Sequence, residues 1–217
     1  MSGCRAGSRG LRQAVATGPC SRLFPAGGSS LLAAVLCVTL AAGCASLPPA
    51  TATGGVNYSG RFALVVDGVD RHETMSGRFA LTVDKSEVTL DLSTPLGTTV
   101  ARVQSGPAGA RVTVPTAGGL RSQQGPDPDA LSLQVLGWTL PVSGIGDWIE
   151  GRPASGRPYR LDPGQGGAAL LEQDGWTIRF DPRGADGRLR RLDMSRPRQG
   201  DAPAVSLRVV LDAGAGS

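Results

Sequence analysis

The 217-residue chain has a single histidine, His72, a single lysine, Lys85, and few aromatic residues: two tyrosines, three tryptophans and four phenylalanines. One histidine rules out a multi-histidine zinc site. It also leaves any Ser-His-Asp triad hanging on a residue between Arg71 and Glu73, which reads as a surface position in a hairpin connection. Lys85 follows Asp84 and so lies outside any G-K-[ST] phosphate loop, which removes the ATP site. No acidic residue precedes Asp67, whereas Arg5, Arg9, Arg12 and Arg22 lie near the start; setting those four aside leaves eighteen charges of each sign. A neutral working protein lacks the basic balance of a nucleic-acid binder. The apolar stretch 31–42 has only twelve residues, too few for a hydrocarbon core that needs about 20.

That stretch, LLAAVLCVTLAA, follows an arginine-bearing segment, as in an export signal. Ala41-Ala42-Gly43-Cys44 then resembles the lipobox of bacterial lipoproteins, with Ala41 where the apolar residue three before the cysteine usually stands. Cys4, Cys20 and Cys37 fall within the segment to be removed, 1–43, so Cys44 is the one mature cysteine and has no intrachain partner. An exported chain with a single N-terminal thiol points to acylation there. By the same resemblance, Ala45 in the following position implies sorting to the outer membrane of a Gram-negative envelope. Residues 44–57 form the lipidated N-terminus and a Pro/Gly/Thr-rich tether. The domain spans 58–213.

From Tyr58 onward apolar residues recur with period two: Phe62, Leu64 and Val66; Phe79, Leu81 and Val83; Val88, Leu90 and Leu92. Val100 to Val103 and Arg111 to Val114 follow, and these segments are half-buried antiparallel strands. SGRFALVVD at 59–67 and SGRFALTVD at 76–84 are nearly the same, as neighbouring strands of one sheet can be. Asp127-Pro128-Asp129 supplies the cap and early proline of a short helix carrying Leu131, Val135 and Leu136, and Ile145, Trp148 and Ile149 have the spacing of a second. Strands resume at Tyr159 to Leu161, Ala169 to Gln173, Trp176 to Phe180, Leu189 to Met194 and Val205 to Leu211. Ten or eleven strands around one small core predict a mainly β fold: a curled antiparallel sheet forming an open half-barrel, with the helices over its mouth.

Other candidate chemistry is thin. Gly164 to Ala169 fits G-x-G-x-x-A formally but lacks a surrounding βαβ unit and reads as a hairpin loop. Asp147 and Glu150 form either an acid–base pair or the solvated side of a helix. Arg183, Arg188, Arg190, Arg191, Arg196 and Arg198 make either an ordinary wet face or a contact for lipid phosphates or an acidic partner. No catalytic or metal-ligating set emerges, and no cofactor is called for.

The order of several short motifs resembles the LolB family of outer-membrane lipoprotein receptors: Gly60-x-Phe62, Leu90-x-Leu92-x-x-Pro95-Leu96-Gly97, Leu140-Pro141, Ile145-x-x-Trp148-Ile149-x-Gly151-x-Pro153 and Gln173-Asp174-Gly175-Trp176. Leu81 stands where that family often has tryptophan, and the last strand lacks a closing aromatic. The resemblance implies an unclosed barrel of eleven strands (LolA/LolB-like) with an apolar cavity for the acyl chains of a client lipoprotein. It further implies a soluble carrier, LolA, that delivers the client, a non-enzymatic and ATP-free transfer by a monomer, and a Pro95-Leu96-Gly97 tip that touches the membrane. Exposing three chains of about sixteen carbons costs on the order of 30–40 kcal/mol, at roughly 0.8 kcal/mol per CH₂. A client therefore needs an oily pocket at every stage.

Alternation nominates Phe62, Leu64, Phe79, Leu81, Leu90, Leu92, Val112 and Val114 on strands, with Leu136, Ile145, Trp148 and Ile149 on helices, as the acyl-chain cavity, each of them equally compatible with plain core packing. Two other functions fit the same residues. One is a LolA-like lipid or lipopeptide sensor that delivers nothing. The other is a structural lipoprotein of an envelope-assembly machine, with a filled core.

Overall fold

A computed structural model describes residues 54–164 and 167–214; the predicted signal peptide and Cys44, the predicted acylation site, lie outside them. Eleven strands run β1 (Val56–Asp67), β2 (His72–Asp84), β3 (Glu87–Ser93), β4 (Thr99–Gly106), β5 (Gly109–Thr116), β6 (Gly119–Gly125), β7 (Tyr159–Asp162), β8 (Ala169–Gln173), β9 (Trp176–Phe180), β10 (Arg191–Arg196) and β11 (Ala204–Leu211). Helices α1 (Pro128–Leu136) and α2 (Val142–Trp148) interrupt them between β6 and β7. All the strands form one antiparallel sheet in the order β6-β5-β4-β3-β2-β1-β11-β10-β9-β8-β7, whose edges β6 and β7 do not pair with each other.

Burial follows the period-two pattern. In β1, Tyr58, Gly60, Phe62, Leu64 and Val66 are buried while Arg61 and Ala63 are exposed, as a sheet with one covered face requires. The helices provide the cover: α1 packs on β4, β5 and β6 and α2 on β3 and β4, while Trp148 at the end of α2 reaches β8. Two short helices that touch both halves of an eleven-stranded sheet require that sheet to curl around them.

Three sequence readings are corrected. Val56 and Asn57 belong to β1 and not to the tether. His72 opens β2 opposite Asp67, with its Nδ1 3.2 Å from the Asp67 carboxylate, instead of sitting in the connection. Strand β10 begins at Arg191 and not at Leu189, which is buried just ahead of it.

The duplicated SGRFAL segments pair with each other. Gly60 faces Phe79, Arg61 faces Arg78 and Phe62 faces Gly77, so each phenylalanine lies across from the other segment's glycine. A Cβ on Gly60 would meet Val210 O and come within 2.8 Å of the Phe79 ring; one on Gly77 would meet Ser93 O and come within 2.9 Å of the Phe62 ring. The missing side chains are the space in which the two rings lie, the device by which aromatics shield strand glycines. Gly60→Val is expected to overpack this cross and lower stability by about 1–3 kcal/mol. Ala63→Val, on the exposed face of the same strand, should leave the urea midpoint unchanged.

On the outer face Asp193 receives hydrogen bonds from Arg191 (2.7 Å), Arg208 (2.7 Å) and Arg179 (3.2 Å). Burial pushes this carboxyl upward, but the three guanidinium bonds together outweigh it and hold it at about 2. A carboxyl depressed by folding stabilises the fold above its unfolded pKa of about 4, and that contribution is lost as pH falls toward 2. Wild-type stability should therefore exceed that of Asp193→Asn at pH 7 and converge with it near pH 2, as read by urea unfolding.

Candidate functional site

Beneath the helices lies a cleft whose lining is wholly apolar: Phe62, Phe79, Leu90 and Leu92 from β1, β2 and β3, Leu207 and Val209 from β11, and Trp138, Leu140, Pro141, Ile145 and Ile149 from the helical cover. Six of the twelve residues nominated from sequence meet here: Phe62, Phe79, Leu90, Leu92, Ile145 and Ile149. Leu64, Leu81, Val112 and Trp148 are almost fully buried in the core away from this wall. Val114 and Leu136 are half-buried and pack against the core. Sequence reasoning did not nominate Trp138, Leu140, Pro141, Leu207 or Val209. The last two continue the alternation of β11 and carried a usable signal; the first three sit between the helices, where no period marks a face.

The cleft is narrow, with a cavity volume of ≈30 Å³, far below the several hundred Å³ usual for a ligand pocket. As it stands it has no room for a long acyl chain.

That cover is built as a unit. Asp127 caps α1 by accepting from the N–H groups of Asp129 (2.9 Å) and Ala130 (3.3 Å). The N-cap position of α2 holds Pro141, which has no side-chain oxygen to offer. Asp129 from α1 takes that part, accepting from Ser143 N–H (2.9 Å) and Ser143 Oγ (3.0 Å). Burial raises the Asp129 pKa and these bonds from Ser143 oppose the rise. Ser132 Oγ donates to Asp129 O and accepts from Leu140 N–H, which ties the connector to α1. Beyond α2, Gln173 of β8 acts as the pin. Its Oε1 accepts from Trp148 Nε1 and Ala154 N–H, both at 2.8 Å, and its Nε2 donates to Ala154 O at 2.9 Å. Gln173→Leu should leave Trp148 Nε1 buried and unpaired, costing about 1–3 kcal/mol, seen as a lower urea midpoint together with a shifted Trp148 emission.

The candidate acid–base pair is a solvent-side ion cluster. Arg152 bridges Asp147 and Glu150, and Glu150 also accepts from Tyr58 Oη at 2.8 Å. Burial, reinforced by that bond, pushes the Tyr58 hydroxyl up to about 12. In the arginine-rich segment Arg190 pairs with Asp186, Arg183 donates to Glu150 O, and Arg196 lies over the Trp176 ring at 5.9 Å.

The β3–β4 hairpin presents the opposite of the hidden cleft. Gly97 N–H donates to Thr94 O (2.9 Å), Thr94 N–H to Thr98 O (2.8 Å), and Thr98 N–H to Thr94 Oγ1 (3.1 Å). Pro95 suits the first position of this turn, and Gly97 takes φ +89°, which closes a three-residue loop. Leu96 is left standing at the tip, 96% exposed.

An unclosed antiparallel half-barrel, lidded by two short helices over an apolar cleft, with a leucine held out on a hairpin tip, defines a class of mainly β proteins with an oily interior between sheet and cover. Residues 56–213 match the family described as outer membrane lipoprotein LolB. The outer-membrane lipoprotein LolB of Ralstonia nicotianae is 35% identical over 202 residues, covering 84% of this chain and 95% of that protein. That of Cupriavidus pinatubonensis is 33% identical, covering 82% and 93%. That of Bordetella petrii is 40% identical over 155 residues, covering 69% and 76%. The chain belongs to the LolB family.

Proposed function

We propose that this protein is an outer-membrane lipoprotein receptor: it accepts acylated lipoproteins from the periplasmic carrier LolA and inserts them into the outer membrane, working as a monomer on the periplasmic face, held there by a lipid on Cys44. The observation that carries this reading is the wholly apolar cleft under a helical cover, lined by Phe62, Phe79 and Ile145 among others. Direction comes from affinity. The receptor's cavity must hold acyl chains better than the carrier does, and the bilayer better than both, so transfer runs downhill with no covalent step and no nucleotide. No residue of this chain acts as a catalyst in that scheme. Its side chains bind, exclude water and release.

Two parts divide the work. The cleft, once its cover lifts, takes the chains; Pro95-Leu96-Gly97 brings the loaded receptor to lipid. The test is a handover assay with a radiolabelled client on LolA, the full-length acylated receptor and liposomes. Client should pass from carrier to receptor to liposome without ATP. Client that stays on the receptor would favour a lipid or lipopeptide sensor. The small free volume of ≈30 Å³ also suits a structural lipoprotein with a filled core. Such a protein would accept neither client nor a hydrophobic fluorescent probe.

A further inference from the structure

Three hairpins, β1–β2, β3–β4 and β5–β6, turn at the same end of the sheet, because the six strands form a simple antiparallel meander. Each turn region carries one large exposed apolar side chain: Val69 at 81%, Leu96 at 96% and Leu120 at 47%. At the other end of the same meander the turns hold Lys85 and Ser86 in one and Pro107 and Ala108 in the other, and the exposed apolar side chain there is Val56 at the start of β1, at 38%.

Charge divides the three. The β1–β2 turn region packs Asp67, Asp70, Arg71, His72 and Glu73 into seven residues, and immersing these in lipid would be costly. Residues 92–101 around Leu96 contain no ionisable side chain, and neither do 112–120, which lead up to Leu120 with Arg121 next. Arg102 of β4 faces Thr113 of β5, so Thr99 and Thr116, the strand residues next to the two turns, share a register position; Leu120 faces Pro115, one residue pair back from there, whereas Leu96 stands beyond it. Two strands separate them, about 10 Å. Both tips stand free, since a Cβ on Gly97, Gly118 or Gly119 would meet nothing within 4 Å. Arg121, exposed one residue behind Leu120, is the kind of side chain that pairs with lipid phosphates.

We propose that the β5–β6 hairpin end, through Leu120, is a second contact with the lipid bilayer, set back from Leu96, while the β1–β2 turn and Val69 stay in water. Two points fix the tilt of the sheet against the membrane, which a single leucine cannot do. The proposal rests on the reading of Leu96 as a membrane contact.

The test places an environment-sensitive fluorophore on one introduced cysteine at a time, Leu96→Cys, Leu120→Cys or Val69→Cys, in the full-length acylated protein reconstituted in phosphatidylethanolamine–phosphatidylglycerol vesicles. Labels at 96 and 120 should both shift to the blue and be quenched by a lipid-borne quencher, and the label at 69 should do neither. A label at 120 that behaves like the one at 69, with that at 96 in lipid, overturns the second contact alone. Labels at 96 and 120 that both remain in water overturn the membrane reading of Leu96 with it. All three in lipid would overturn the charge argument and put the whole end of the sheet in the bilayer.

Discussion

Leu96→Asp is expected to leave client uptake from the carrier intact while stopping delivery to liposomes. The residue is 96% exposed on a turn held by its own backbone bonds and by Pro95 and Gly97, so the substitution disturbs no packing and stability should be unchanged. What it removes is the transfer of a leucine from water to lipid, about 1.5–3 kcal/mol or roughly a ten- to hundredfold loss. What it adds is a carboxylate that resists immersion. Receptor–client complexes should accumulate, measurable by co-purification, with insertion reduced at least that much. Normal insertion by this variant would sink the membrane role of the tip.

Locking the cover should have an equally large and opposite signature. A Cβ on Gly146 of α2 would lie 3.4 Å from a methyl of Val83 on β2, which brings a Gly146→Cys, Val83→Cys pair within reach of a disulfide. Oxidised, this variant has α2 fastened to β2 as well as pinned to β8 through Gln173. With only ≈30 Å³ free beneath it, it should take up neither client nor hydrophobic probe, and reductant should restore both. The single variants serve as controls. Equal uptake in the oxidised and reduced states would mean that the acyl chains bind elsewhere.

The alternation of apolar residues made most of the sheet legible, because a buried face imposes period two on every strand that contributes to it. Strand β6, GLRSQQG, escaped because it is an edge: it has glycine at both ends and Leu120 as its one large apolar residue, and its pairing is dictated by β5 and not by its own pattern. The repeat of SGRFAL was visible, but its meaning was not, since the crossing of Phe62 over Gly77 and Phe79 over Gly60 depends on register between strands. At the site, period two gives the face and not the height. Leu64 and Phe62 share a face of β1, yet only Phe62 reaches the cleft. Trp138, Leu140 and Pro141 lie between helices, where neither period applies. The tip was different: Pro95-Leu96-Gly97 is local turn chemistry, and the structure holds its leucine fully out.

The two unpaired edges, β6 and β7, bear on how cargo of different girth is handled. In a closed barrel strand number and stagger set the bore, and widening it means breaking a ladder. Here the seam is already open, so the wall can flex outward like a cuff with every strand pairing retained. The energy of dilation then falls on apolar packing between sheet and cover, which incoming hydrocarbon replaces in kind. In the proposed receptor, such a wall would admit tails that differ in length and number without a dedicated fit for each.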